Sequence, residues 1–193
     1  IAVTAAAAYA AHVRLQRERT LSQVRSVADA AQAVVLRPLP HTLPNVRIET
    51  LYLAAAEEAR IGGDFFEAVD TRYGVRMLIG DVRGKGLSAV GVASAVMHSF
   101  REAAYEEADL ERLARRLDTS MARYSGTQPA PDAAERFSTV VLAEIPHHGG
   151  SAALVNCGHP PPLLLGAAGE VRQLDPTRPS PPVNMGRLIG GGY

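Results

Sequence analysis

Tryptophan is absent, and the chain has only six tyrosines and four phenylalanines in 193 residues. It therefore lacks the stacking platforms on which single-stranded bases are held. Cysteine is nearly absent too. Cys157 stands alone, which excludes an intramolecular disulfide and any multi-cysteine zinc site, fits a reducing cytoplasm, and reads as a small buried residue. Neither sign of charge is in excess, since 20 basic side chains balance 20 acidic ones. No global field draws the protein to nucleic acid, an acidic polymer or an anionic membrane, so recognition must be local. A long hydrophobic run is also missing. The apolar or small residues of 1–11 fall short of the ~20 needed to span a bilayer. Followed by Arg14, Arg17 and Arg19, they fit either the cytoplasmic end of a transmembrane helix or a plain Ala-rich helix. The basic residues come after the apolar stretch, which is not the order of a signal peptide. With 47% hydrophobic and 21% charged residues, the chain suits one domain with a mainly aliphatic core and excludes intrinsic disorder.

Residues 12–36 contain no Gly or Pro, and Leu21, Val24, Ala28, Ala31 and Val35 recur at spacings of three and four, with Val27 and Val34 alongside. This is a helical seam, which serves either packing within its own domain or pairing with the same helix of a second chain. Pro38, Pro40 and Pro44 end that helix, because each lacks a backbone donor and turns its predecessor away from helical geometry. We therefore divide the chain into an N-terminal linker helix over 1–37 and a globular domain over 38–193. Within the domain, 46–53 alternates apolar and polar side chains as a strand. Runs 65–69 and 75–79 predict two strands joined as a hairpin by Thr71-Arg72-Tyr73-Gly74. Helical periodicity over 87–105 and 110–124 predicts a helical pair. A loop over 125–132 and short strands at 137–145, 152–156, 163–165 and 171–174 follow. Strands, a helical pair and strands again make an α+β order, distinct from the alternation of a parallel doubly wound sheet.

Chemistry concentrates between Glu58 and Gly86. Gly62-Gly63-Asp64 precedes one predicted strand, and Gly80-Asp81-Val82-Arg83-Gly84-Lys85-Gly86 follows the next and opens a helix. A carboxylate flanked by glycines leaves room for hydrated ions or a phosphate to approach the backbone, and hard divalent cations prefer such oxygen ligands. If the two strands pair as a hairpin, Asp64 and Asp81 share one end of the sheet within reach of one metal centre. The bland alternative is that Asp81 caps the following helix or serves a turn. A nucleotide-binding loop is excluded, because Gly80 to Gly84 is one residue too short and Gly86 stands where a magnesium-holding Ser or Thr is required.

Gly62-Gly63-Asp64-Phe65-Phe66, the Gly80–Gly86 stretch, Phe137-Ser138-Thr139 and Asn156-Cys157-Gly158-His159-Pro160-Pro161-Pro162 together resemble the ordered signatures of the SpoIIE-like (RsbU-type) branch of the PPM metal-dependent protein phosphatases. The likeness runs from Gln32 to Gly186. It implies an α+β fold, a four-layer αββα sandwich of two antiparallel sheets flanked by helical pairs. It also implies hydrolysis of phosphoserine or phosphothreonine on a protein, with two Mn2+ or Mg2+ ions activating a water for in-line attack. By position, Asp64 and Asp81 would be catalytic metal ligands, the Val82 carbonyl would add an oxygen, and Lys85, standing where the family has His, would assist phosphate binding or be a surface charge. The substrate implied is a phosphorylated STAS-type anti-anti-sigma factor in bacterial signalling, met by a cytoplasmic domain tethered to the inner face of the membrane. Leu21, Val24, Val27, Ala31 and Val34 would form a homodimer seam. The family's later Thr-Asp-Gly motif and a further Asp have no counterpart before Tyr193, so the domain is expected to be C-terminally incomplete by ~60–80 residues. A non-catalytic binding or dimerisation module is the alternative this raises. His147-His148 reads as a turn between strands, His159 as a structural residue at a rigid turn, and the charged face of 101–118 as solvated helix surface.

Overall fold

The computed structural model describes residues 2–53, 62–127 and 136–186. Helix α1 (Ala2–Val35) stops three residues before Pro38. Its last residue, Val35, is buried in the core, whereas Leu15 and Leu21 are exposed. The side chains of Val24, Val27, Ala31 and Val34 lie outside the described residues. Among the described residues no helix is long and apolar enough to cross a membrane.

The expected strand over 46–53 is far shorter than its alternation suggested. Strand β1 (Thr42–Leu43) pairs with β2 (Val46–Arg47) only. Pro44 fixes the turn and Asn45 takes a left-handed φ of 60°, so the chain doubles back at once. Past Arg47 the pairing carries only to Ile48, whose N–H donates to the His41 carbonyl at 2.9 Å, and among the described residues no strand lies beside 49–53.

Strands β3 (Asp64–Thr71) and β4 (Gly74–Val82) form the predicted hairpin in full. Thr71 closes its turn, donating its hydroxyl to the Gly74 carbonyl at 2.8 Å. Helices α2 (Leu87–Glu106) and α3 (Leu110–Gly126) follow. The expected 125–132 loop falls partly on residues 128–135, outside the described residues. Strands β5 (Ser138–Ile145) and β6 (Ala153–Cys157) complete an antiparallel sheet of order β3-β4-β5-β6. Strands β7 (Leu163–Leu165) and β8 (Val171–Gln173) make a separate hairpin. The architecture is α+β, antiparallel sheets with helices, as expected.

One face of the four-stranded sheet carries Phe65, Leu78, Val82, Val140, Leu142 and Cys157. These meet Val92, Val96 and Phe100 of α2 and Leu113, Leu117 and Met121 of α3 in a single core. Each such side chain contributes roughly 1.5–3 kcal/mol on burial, which holds the helices where propensity alone would not. Asp109 caps α3 by accepting the Arg112 N–H at 2.7 Å.

Arg76 of β4 is also in this interior, 0% exposed. Its guanidinium meets Glu144 of β5 at 2.6 Å, donates to the carbonyls of Ala104, Glu107 and Ala108 at 2.9, 2.7 and 3.2 Å, and lies 4.3 Å over the Tyr73 ring. The carbonyls belong to the end of α2 and the turn into α3, where the helix dipole is negative, so a buried cation is satisfied from several sides. A second tie, Arg101 to Glu67 at 2.6 Å, joins α2 to β3.

Candidate functional site

Strand alternation sends the side chains next to Phe65, Val82 and Val140 to the other face of the sheet, away from α2 and α3. There Asp64, Asp81 and Thr139 lie directly opposite one another across β3, β4 and β5. Val82 donates its N–H to the Gly63 carbonyl at 3.1 Å, so Asp64 and Asp81 occupy the non-hydrogen-bonded position of their ladder, where facing side chains approach most closely. This approach depends on Gly63. A Cβ there would lie 2.5 Å from the Val82 carbonyl oxygen and 2.7 Å from the Val82 Cβ.

The two carboxylates interact. Burial, followed by repulsion from Asp64, raises the Asp81 carboxyl above its ordinary value of 3.8, while a backbone hydrogen bond from Val82 pulls the other way. Tyr52 donates its hydroxyl to Asp64 Oδ2 at 3.4 Å. The Asp81 carbonyl accepts from Ser138 Oγ at 3.0 Å, and Ser138 exchanges backbone hydrogen bonds with Val183 at 3.1 and 2.8 Å. The segment around Val183 thereby steadies the strand end that carries Asp81. Asp118 of α3 extends this support by accepting the Asn184 N–H at 2.6 Å.

The reading of Asp81 as a helix cap is not what the structure shows. The residue before α2 is Gly86, at φ 81°, and no side chain caps that helix. Lys85 is exposed on the connecting loop between Gly84 at φ 114° and Gly86. His147 is a turn residue as expected, its Nε2 lying 2.8 Å from the Thr71 carbonyl and 3.1 Å from Asp70. Over 101–118 the expected solvated face holds for Arg116, which pairs to Glu106 and Glu107 at 3.3 and 3.5 Å, but not at its ends, where Asp118 is buried and Arg101 is half-buried against Glu67.

His159 is the resident that sequence reasoning treated only as a turn former. The turn is present: Asn156 Oδ1 accepts the His159 N–H and Asn156 Nδ2 donates to its carbonyl, both at 2.8 Å, with Gly158 at φ 70° between them. Yet the ring extends the polar row, with Nδ1 2.9 Å from Thr139 Oγ1. Burial lowers its pKa below 6.5, and the negative charge of Asp64 opposes that shift. The spacing of Phe137-Ser138-Thr139 from Gly158-His159 held the clue, since a pairing of β5 with β6 brings those segments side by side.

The oxygens of Asp64 and Asp81 are a hard, mutually repelling donor set that suits a divalent cation. Among the described residues no group of three or more His, Cys, Asp or Glu is placed to hold a metal ion.

The family model of stage II sporulation protein E (SpoIIE) matches residues 71–188, more than half of the chain. The chain belongs to the SpoIIE family. Asp81, Lys85, Thr139 and His159 fall inside the SpoIIE match, whereas Asp64 and the stretch around Gln32 precede it. Among solved structures, the RsbU and RsbW domains of Rv1364c from Mycobacterium tuberculosis are similar at 26% identity and a TM-score of 0.55, over 67% of this chain and 34% of that one. This SpoIIE chain thus spans about a third of that protein's length. The SiaA-PP2C domain of Pseudomonas aeruginosa is similar at 15% identity and a TM-score of 0.49, over 63% of this chain and 46% of the other.

Proposed function

We propose that this domain hydrolyses phosphoserine or phosphothreonine on a regulatory protein, with Mn2+ or Mg2+ as cofactor. The observation that carries the reading is the direct opposition of Asp64 and Asp81 on adjacent strands in a chain of the SpoIIE family. Asp64, Asp81 and the Val82 carbonyl are the groups that would hold the cations, two in number by the family resemblance. Bound there, the cations would supply positive charge to a hydrolytic nucleophile and to the phosphoryl oxygens. The chain's own residues keep the site in shape: Ser138 holds the Asp81 backbone, Gly63 admits close approach to Val82, and Thr139 orients the His159 ring.

The substrate we propose is a phosphorylated STAS-type anti-anti-sigma factor, supported by the family resemblance and the likeness to an RsbU domain. The measurement is Mn2+-dependent phosphate release from such a phosphoprotein by the wild-type chain and by Asp81→Asn. Release that Asp81→Asn retains would remove the reading. The non-catalytic module remains a second reading because no third metal-binding side chain accompanies the pair among the described residues. Calorimetry showing no uptake of Mn2+ would favour it.

We also propose that α1 links the domain to an upstream segment at the cytoplasmic face of the membrane and pairs with a second copy. Exposed Leu15 and Leu21 on a 34-residue helix support the pairing. Val24→Glu with Val27→Glu should shift the sedimentation coefficient from dimer to monomer; an unchanged value would exclude the pairing.

A further inference from the structure

We propose that Arg83 binds the phosphoryl oxygens of the substrate's phosphomonoester, an inference that rests on the phosphatase reading of the same site. Divalent cations at the carboxylates would meet only some of the phosphoryl oxygens, so the group still needs a cation beside the pair to orient the rest, held ready and not already neutralised. Arg83 meets these conditions. It stands two residues beyond Asp81, and its N–H donates to the Phe137 carbonyl at 2.9 Å. This hydrogen bond continues the β4–β5 ladder beyond Val82 and Ser138, and the alternation that puts Asp81 and Thr139 on one face continues to Arg83 and Phe137.

The guanidinium carbon lies 5.5 Å over the Phe137 ring, a cation–π contact that restrains the side chain while leaving its donors open. Arg83 is exposed, and among the described residues no carboxylate lies within ion-pair distance of it. A planar fork of N–H donors matches two phosphoryl oxygens at once, which an ammonium cannot do. Lys85, the residue singled out by motif position, has no comparable anchor. The glycines on either side of it are left-handed and have open space around their Cα atoms. A tethered cation loses less freedom on binding than a loose one.

The test uses inorganic phosphate as the probe, titrated by calorimetry in the presence of Mg2+, beside the hydrolysis of para-nitrophenyl phosphate. Arg83→Met keeps the apolar contact with Phe137 and removes the charge. It should weaken phosphate binding about tenfold and raise KM by a similar factor, with kcat changed far less. Arg83→Lys should recover only part of the loss, and Arg72→Met, at the opposite end of the hairpin, should change nothing. Phosphate binding by Arg83→Met equal to wild type overturns the proposal, as does a wild type that binds no phosphate or a loss confined to Lys85→Met. Arg83-dependent phosphate binding without hydrolysis upholds the anion site and overturns the phosphatase reading alone.

Discussion

Replacing Asp64 by Asn should make the metal-free protein more stable and the metal-loaded protein less so. Asp64 and Asp81 face each other at a non-hydrogen-bonded ladder position, where facing Cβ atoms are ~4.5–5.5 Å apart. Two carboxylates ~6 Å apart repel by about 0.7 kcal/mol at the dielectric of water, and by about twice that at an effective value of 40. The amide can still accept the Tyr52 hydroxyl, so Asp64→Asn removes little besides the charge. The expected gain is ~0.7–1.4 kcal/mol, or roughly 1.5–5.5 °C in Tm for a chain of this size. The gain should shrink in 1 M salt, where the screening length falls to about 3 Å. If the proposed metal site is right, added Mn2+ should reverse the ranking, because saturation at a hundredfold excess over Kd stabilises the wild type by about 2.7 kcal/mol and the variant would lack one of the proposed ligands. Proton linkage gives an independent check. The Asp81 carboxyl is raised above 3.8, so the folded protein holds its proton more tightly than the unfolded chain. That stability is fully present below pH 3.8 and is lost as pH rises through the folded-state value. Differential scanning calorimetry at low and high salt, with and without Mn2+, measures all of these. An Asp64→Asn protein that melts at or below wild type in low salt without metal would refute the shared site.

Arg76→Met should cost ~3 kcal/mol or more, read from the urea midpoint, because Glu144 and three carbonyls lose their buried partner; Arg76→Lys should not restore the loss. Burial, with repulsion from Asp118, pushes the Cys157 thiol up to about 12, so a thiol reagent at pH 8 should label it only in denaturant; prompt labelling of the native protein would contradict its place in the core. The His159 pKa, followed by NMR, should lie below 6.5 and fall further in Asp64→Asn, since the opposing negative charge is gone. Its contribution to stability is present above pH 6.5 and is lost as pH falls through the folded-state value. A His159→Gln variant should therefore flatten the Tm profile below neutrality.

The hairpin, the helical pair and the later strands were legible because each carries one clear period. Asp64 and Asp81 were legible as a pair because glycines beside both marked the same end of a two-strand unit. What escaped was set by tertiary neighbours. Arg76 occupies an inward position of β4, where a charged residue reads as an interruption, and only the carbonyls at the end of α2 explain it. Residues 49–53 have the alternation of a strand without a strand beside them among the described residues. His159 looked like a turn residue because the local bonds to Asn156 make it one, and its contact with Thr139 depends on the β5–β6 pairing. The anchoring of Arg83 depends in the same way on Phe137, far along the chain, and motif position alone favoured Lys85.

The guanidinium of Arg76 ties together two strands and the turn between α2 and α3, all at one extremity of the sheet. At the opposite extremity the strand ends are tied through Ser138 and Val183, but the loop over Gly84 and Gly86 carries glycines with open space around them. Amide exchange should therefore proceed along a gradient, earliest around Gly84 and Gly86 and latest near Ala104, with opening free energies rising in that direction. A ligand seated at the carboxylates would slow exchange where the molecule is quickest to open, so occupancy would register as local protection well before it altered global unfolding.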